Sequence, residues 1–131
     1  MNIAIFGLGY VGSVSAGCLA QAGHNVLGLD PNQTKVDLIN SGQSPIIEQG
    51  IGDIIKKQVD QGRLKASADA HKALQQSEIS FVCVGTPSLD NGDLDLAHVQ
   101  RVSKQIGTWL KDLSHFHVVV IRSTMLPGSM Q

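Results

Sequence analysis

At 131 residues and 13.9 kDa, with 42% hydrophobic and 16% charged residues, the chain is sized for one compact soluble domain, residues 1–131. Its formal net charge of −1 and its scattered lysines and arginines exclude the electrostatic footprint that nucleic acid or an anionic membrane surface requires. Two cysteines, Cys18 and Cys83, both stand in apolar runs, which implies reduced, buried thiols of a cytoplasmic protein and no disulfide framework.

Residues 2–23, NIAIFGLGYVGSVSAGCLAQAG, carry no charged side chain. No Lys or Arg precedes the apolar run, as a secretory leader requires, and Gly7, Gly9, Gly12 and Gly17 break up what a membrane span would keep apolar for about 20 residues. The stretch therefore reads as folded structure. NIAIF suits a buried parallel strand, residues 11–22 a helix with small residues on its packing face and Gly23 as its stop, and NVLGLD a second strand. Together they form a strand-helix-strand unit of about thirty residues.

Within that unit GLGYVG matches G-x-G-x-x-G, directly after a strand and opening a helix. The three glycines serve separate ends. Gly7 permits the tight turn, Gly9 lets a pyrophosphate approach the backbone, and Gly12 lets helix and strand pack closely. The anion would sit at the helix start, on amides around Tyr10 and Val11, where the macrodipole also favours negative charge. Asp30 follows Gly12 by 18 residues at the end of the second strand. A carboxylate there accepts hydrogen bonds from the ribose hydroxyls of NAD and repels the 2′-phosphate of NADP, so NAD is the expected cofactor. Asp30 has a second reading, as N-cap of the helix in PNQTKVDLINSG, and the two roles are compatible. Lys35, one turn on, either holds the ribose edge or is solvated.

The middle of the chain continues the alternation. An amphipathic helix is expected over residues 50–59, with Ile51, Ile54 and Ile55 inward and Lys56 and Lys57 on a solvated face. LKAS reads as a short strand, ADAHKALQQS as a helix, and EISFVCVGTP as a strand broken by Gly85 and Pro87. Thr86 lies beyond that strand's carboxyl end, where open α/β sheets bind ligands, and is either a cofactor contact or a turn hydroxyl. Asp90, Asp93 and Asp95 lack the spacing of a calcium loop; Asn91-Gly92 reads as a turn and Asp93 or Asp95 as a helix cap before LAHVQRVSKQIGTWLKDL. A last buried strand over residues 117–121 is followed by Ser123 and Thr124, again beyond a strand end. His115 and His117 share a side at strand spacing, but the sequence places no third ligand for a metal. The fold class is α/β, a Rossmann-type doubly wound parallel sheet of five strands, one fewer than the six usual for such a domain.

IFGLGYVG, Asp30 with Lys35, FVCVGTPS, NGDLDL and VVIRSTMLPG together resemble the N-terminal, NAD-binding part of the UDP-glucose/GDP-mannose dehydrogenase family, over essentially the whole chain. AGCLAQAGHNVLGLD and KVDLINSGQSPIIEQG look closest to its GDP-mannose 6-dehydrogenase branch, with the UDP-glucose dehydrogenases as the alternative. The resemblance implies oxidation of a nucleotide-sugar C6 alcohol to a carboxylate with two NAD, through an aldehyde and a thioester on a cysteine. It carries cofactor contacts onto Tyr10, Val11, Asp30, Lys35, Thr86 and Thr124. The family's catalytic cysteine and lysine motifs have no match in this chain, and neither Cys18 nor Cys83 stands in such a motif, so no catalytic residue is assigned. The expectation is a front end that binds NAD weakly, turns over nothing alone, and in full length assembles as a homodimer or higher homo-oligomer. Two other classes stay open: a non-catalytic NAD-sensing module, and a structural domain with a vestigial glycine turn.

Overall fold

The computed structural model describes residues 1–46, 50–83, 97–111 and 115–122, with the side chains of 97–99 outside the description. In chain order the elements are β1 (Asn2–Phe6), α1 (Tyr10–Gln21), β2 (Asn25–Leu29), α2 (Gln33–Asn40), α3 (Ile51–Asp60), β3 (Leu64–Ser67), α4 (Ala70–Gln76), β4 (Ile79–Val82), α5 (Ala97–Leu110) and β5 (Val118–Ile121). The five strands form one parallel sheet in the order β3-β2-β1-β4-β5. That is the expected doubly wound arrangement, with the reversal of strand order falling between β1 and β4.

β1 is apolar at successive positions because both of its faces are covered. Ile3 and Ile5 point to one layer, where they meet Ala16 and Ala20 of α1, Val36 and Ile39 of α2, and Ile51 and Ile55 of α3. Ala4 and Phe6 point to the other, among Ala73 and Leu74 of α4 and Ile106 of α5. α1 contains Gly12 and Gly17, each costing a helix about 1 kcal/mol relative to alanine. Contact explains Gly17: a Cβ there would stand 3.0 Å from Ile51 Cδ1 and 3.3 Å from Ile54 Cγ2, so the glycine lets α3 close onto α1.

Gly23 ends α1 as expected. Its φ is 103°, its amide donates to the Ala20 carbonyl and the amide of His24 to that of Leu19, which together close the helix end. The expected elements are otherwise shifted by a residue or a few: α1 begins at Tyr10, β2 stops before Asp30, β4 stops at Val82, and β5 begins after His117. Lys56 and Lys57 are exposed as expected. Cys18 corrects the sequence reading. It is exposed, because the buried stripe of α1 runs through Ser13, Ala16, Gly17 and Ala20 and Cys18 falls off it. Cys83 is buried as expected.

Candidate cofactor-binding cleft

The carboxyl end of β1 turns through Gly7, whose φ of 100° suits a residue without Cβ. The Gly7 amide donates to the Leu29 carbonyl at 2.7 Å, which ties the turn to the end of β2. Leu8 is fully buried, and its carbonyl accepts the Ser13 hydroxyl at 2.9 Å. Ser13 thus locks the loop to the helix, a role that no pattern in the sequence announced.

The three motif glycines separate cleanly by what surrounds them. A Cβ on Gly12 would lie 1.7 Å from the Gly7 carbonyl oxygen, so the helix seats on the loop only because the side chain is missing. The expected close packing is therefore of helix on turn, with Cys83 Cβ 3.5 Å away on the β4 side. A Cβ on Gly9 would meet nothing within 4 Å. Gly9 is the N-cap of α1, offers no side-chain cap, and leads into a first turn without an acidic residue. The start of α1 thus presents its positive end toward open space, with Tyr10 and Val11 exposed beside it.

Asp30 stands one residue past β2. Its Oδ2 accepts the Leu8 amide at 2.9 Å and its Oδ1 the Asn32 amide at 2.8 Å, while Lys35 Nζ lies 3.9 Å from Oδ2. The N-cap reading of Asp30 is corrected here: Asn32 caps α2, its Oδ1 accepting the Thr34 amide at 3.0 Å. A carboxylate offers about four acceptor positions, so with two amides bound Asp30 retains room for two hydroxyl donors. That is the demand a vicinal ribose diol makes, and the residues present fit it. Lys35, about one-third exposed, faces this carboxylate rather than bulk solvent alone.

Gly7, Gly9, Asp30 and Lys35 line one cleft of about 750 Å³ beyond the carboxyl ends of the strands. Its far wall comes from Ala70 and His71 of α4 and from Arg101, Val102, Gln105 and Trp109 of α5. Sequence reasoning missed this wall. The strand-end rule applied to β3 would have pointed to residues 68–71, but nothing local marks α5, whose periodicity reads simply as a packing face.

Thr86, Ser123, Thr124 and the carboxylates Asp90, Asp93 and Asp95 lie outside the described residues, as does the Asn91-Gly92 turn. His115 and His117 precede the amino end of β5, whereas the cleft lies beyond the carboxyl ends of the parallel strands. His115 Nε2 and His117 Nδ1 both donate to the Ser77 carbonyl, at 3.0 and 3.1 Å, and the Ser80 hydroxyl lies 2.7 Å from His117 Nε2. The pair is occupied in tying β5 to β4, and among the described residues no group of three or more metal-ligating side chains occurs. Burial pushes the Cys83 thiol up in pKa, partly offset by the positive charge of Arg122.

The sequence profile of the UDP-glucose/GDP-mannose dehydrogenase family, NAD binding domain, matches residues 1–131. A GDP-mannose 6-dehydrogenase of Pseudomonas aeruginosa is 51% identical over 130 residues, 99% of this chain and 30% of that protein. A UDP-glucose 6-dehydrogenase of the same organism is 34% identical over 131 residues, 100% of this chain and 28% of that protein. Among solved structures, a ternary complex of GDP-mannose dehydrogenase from Pseudomonas aeruginosa superposes with a TM-score of 0.97 at 51% identity, over 99% of this chain and 30% of that one. A UDP-glucose dehydrogenase from Pyrobaculum islandicum gives 0.91 at 33% identity, over 97% and 29%. The chain spans about 30% of the length of the GDP-mannose 6-dehydrogenases it matches.

Proposed function

Because the chain belongs to the UDP-glucose/GDP-mannose dehydrogenase family, as its NAD binding domain, we propose that it is the cofactor-holding part of a GDP-mannose 6-dehydrogenase. In this reading the whole protein oxidises the C6 alcohol of GDP-mannose to the carboxylate of GDP-mannuronate, consuming two NAD and one water per sugar. The higher identity to GDP-mannose 6-dehydrogenases than to UDP-glucose 6-dehydrogenases supports that sugar over UDP-glucose.

The observation that carries the proposal is the juxtaposition of Gly9 and Asp30: an open helix start beside a carboxylate with acceptor capacity to spare, in one cleft. When bound, NAD supplies the hydride acceptor. The chain's own residues bind and orient. Gly9, Tyr10, Val11 and Gly12 form the seat for the pyrophosphate, with Gly7 holding the turn beneath it. Asp30 accepts the adenosine ribose hydroxyls and disfavours a 2′-phosphate, and Lys35, 3.9 Å from Oδ2, steadies that carboxylate in place. Thr86 and Thr124 are assigned to the cofactor by their positions after β4 and β5. No residue of the chain is assigned as nucleophile or proton carrier.

Residues 1–131 are read as one NAD-binding unit of a cytoplasmic homodimer or higher homo-oligomer. No described helix is long and apolar enough to cross a membrane. The test is calorimetry: NAD and NADP are titrated into the chain and into Asp30→Ala. Saturable NAD binding, weaker for NADP and weakened by the substitution, is expected. Absence of NAD binding to the whole protein, or equal binding of both cofactors, would refute the reading. Whole-protein turnover of GDP-mannose, with two NADH per sugar and little activity on UDP-glucose, tests the substrate.

A further inference from the structure

The dinucleotide seat described above leaves open what receives the purine, and the far wall of the cleft offers an answer. Resting on the cofactor reading, we propose that the stacked rings of His71 and Trp109 are the wall against which the adenine of NAD lies, making them affinity-determining residues for the adenosine half.

The direction follows from strand order. The glycine loop lies beyond β1 and Asp30 beyond β2, and β3 is next along the sheet. A dinucleotide with its pyrophosphate at Gly9 and its adenosine ribose at Asp30 carries its base one strand further, past the end of β3. The Asp30 amide donates to the Ser67 carbonyl at 3.4 Å, so the segment after β3 starts alongside Asp30 and runs directly into His71. His71 and Trp109 line the same cleft as Gly9 and Asp30.

The chemistry of the two ends differs in the way an adenosine phosphate requires. One end holds the charged pair Asp30 and Lys35. The other presents flat rings: the His71 and Trp109 centroids lie 5.4 Å apart with their planes 17° from parallel. Both side chains are only half-buried, and Val102 supplies apolar surface beside them. The buried Nε2 of His71 has no hydrogen-bond partner among the described residues, so stacking on Trp109 is what holds the ring. A stacked pair of this kind accepts a third flat heterocycle, because offset stacking is favourable for any base with a π-face.

Trp109 is the sole tryptophan of the chain, so its emission reports on the wall directly. NAD is titrated while heat and Trp109 emission are followed in parallel, ADP-ribose is titrated in the same way, and the heats are repeated for His71→Ala and Trp109→Leu. The emission should change along the same saturation curve as the heat, for ADP-ribose as well as NAD. Affinity should fall about tenfold in Trp109→Leu and severalfold in His71→Ala. Heat of binding with unmoved emission, or wild-type affinity in both variants, would overturn the assignment and leave the cofactor reading intact. No heat with NAD would overturn both. Should Trp109→Leu melt before binding can be measured, the emission response of the unaltered chain and the affinity of His71→Ala decide.

Discussion

The main-chain amide of Leu8 donates to the Asp30 carboxylate at 2.9 Å, joining the glycine loop to the end of another strand across 22 residues of sequence. Asp30 therefore shapes the cleft itself. Its two oxygens hold the loop at Leu8 and the next turn at Asn32, so the group that would meet the ribose is already fixed in position. This pre-arrangement lowers the ordering cost of binding.

Asp30→Ala should act on both counts. Removing the acceptor leaves the Leu8 amide without its partner, at a cost of about 1–3 kcal/mol in folding free energy. Chemical denaturation reads that cost without cofactor. Asp30→Asn, which keeps an oxygen for Leu8 and loses the charge, should recover most of the stability while weakening NAD and narrowing its advantage over NADP. Equal loss of stability in both variants would argue against the Leu8 bond as the cause.

Gly9→Ala and Gly12→Ala should fail in different ways. A methyl on Gly9 meets no atom, so the melting temperature should stay within about 2 °C of the unaltered chain, a shift well under 1 kcal/mol. NAD binding should nevertheless fall at least tenfold, since the methyl occupies the anion's seat. A methyl on Gly12 collides with the Gly7 carbonyl, and the overpacking should cost about 3 kcal/mol. Thermal melts with and without NAD separate the two.

Acid should loosen the β4–β5 edge through His117. With Nδ1–H donated to the Ser77 carbonyl, Nε2 is left to accept the Ser80 hydroxyl, an arrangement that uses the neutral ring completely. Burial holds its pKa below the ordinary histidine range; the Ser77 bond opposes this, and charge on neighbouring His115 reinforces it. The unfolded chain then takes up the proton first. Stability is fully present above the ordinary value of about 6.5, declines as pH falls from there toward the folded pKa, and levels off below it. Urea midpoints across this range should show that slope, and His117→Gln should flatten it.

The cysteines should differ in reactivity. Cys18 is exposed, whereas Cys83 is buried and burial raises its thiol pKa. An aromatic disulfide reagent should modify one thiol per native chain quickly and the second only on unfolding. Cys18→Ser should abolish the fast phase; its persistence would mean that Cys83 is the accessible thiol.

Local pattern was a good guide where local rules decide. The apolar run before Gly7, the spacing of Gly7, Gly9 and Gly12, and Asp30 at a strand end fixed the first strand-helix-strand unit and half of the cleft. Gly23 was legible as a helix stop for the same reason. Cys18 was misread because an apolar run says nothing of which helix face a residue takes until the buried stripe is known. The cap of α2 was misassigned because Asp30 and Asn32 are both good caps, and tertiary pairing with Leu8 claimed the first. Trp109 was invisible as a cleft residue. Its place depends on how α5 lies across α4, a relationship between elements more than twenty residues apart.

The central place of β1 also shapes how the chain must come together. Its pairing with β2 can start once Leu29 has been made, but its other edge waits for Ile79–Val82. Roughly fifty residues, at ~5–20 per second during synthesis, amount to a few seconds. For that interval the row from Ile3 to Phe6, uncharged and wholly apolar, offers unpaired amides and carbonyls to any neighbouring chain. Slow translation before residue 79 would lengthen the exposure, so the yield of folded protein should depend on the pace of synthesis across this stretch.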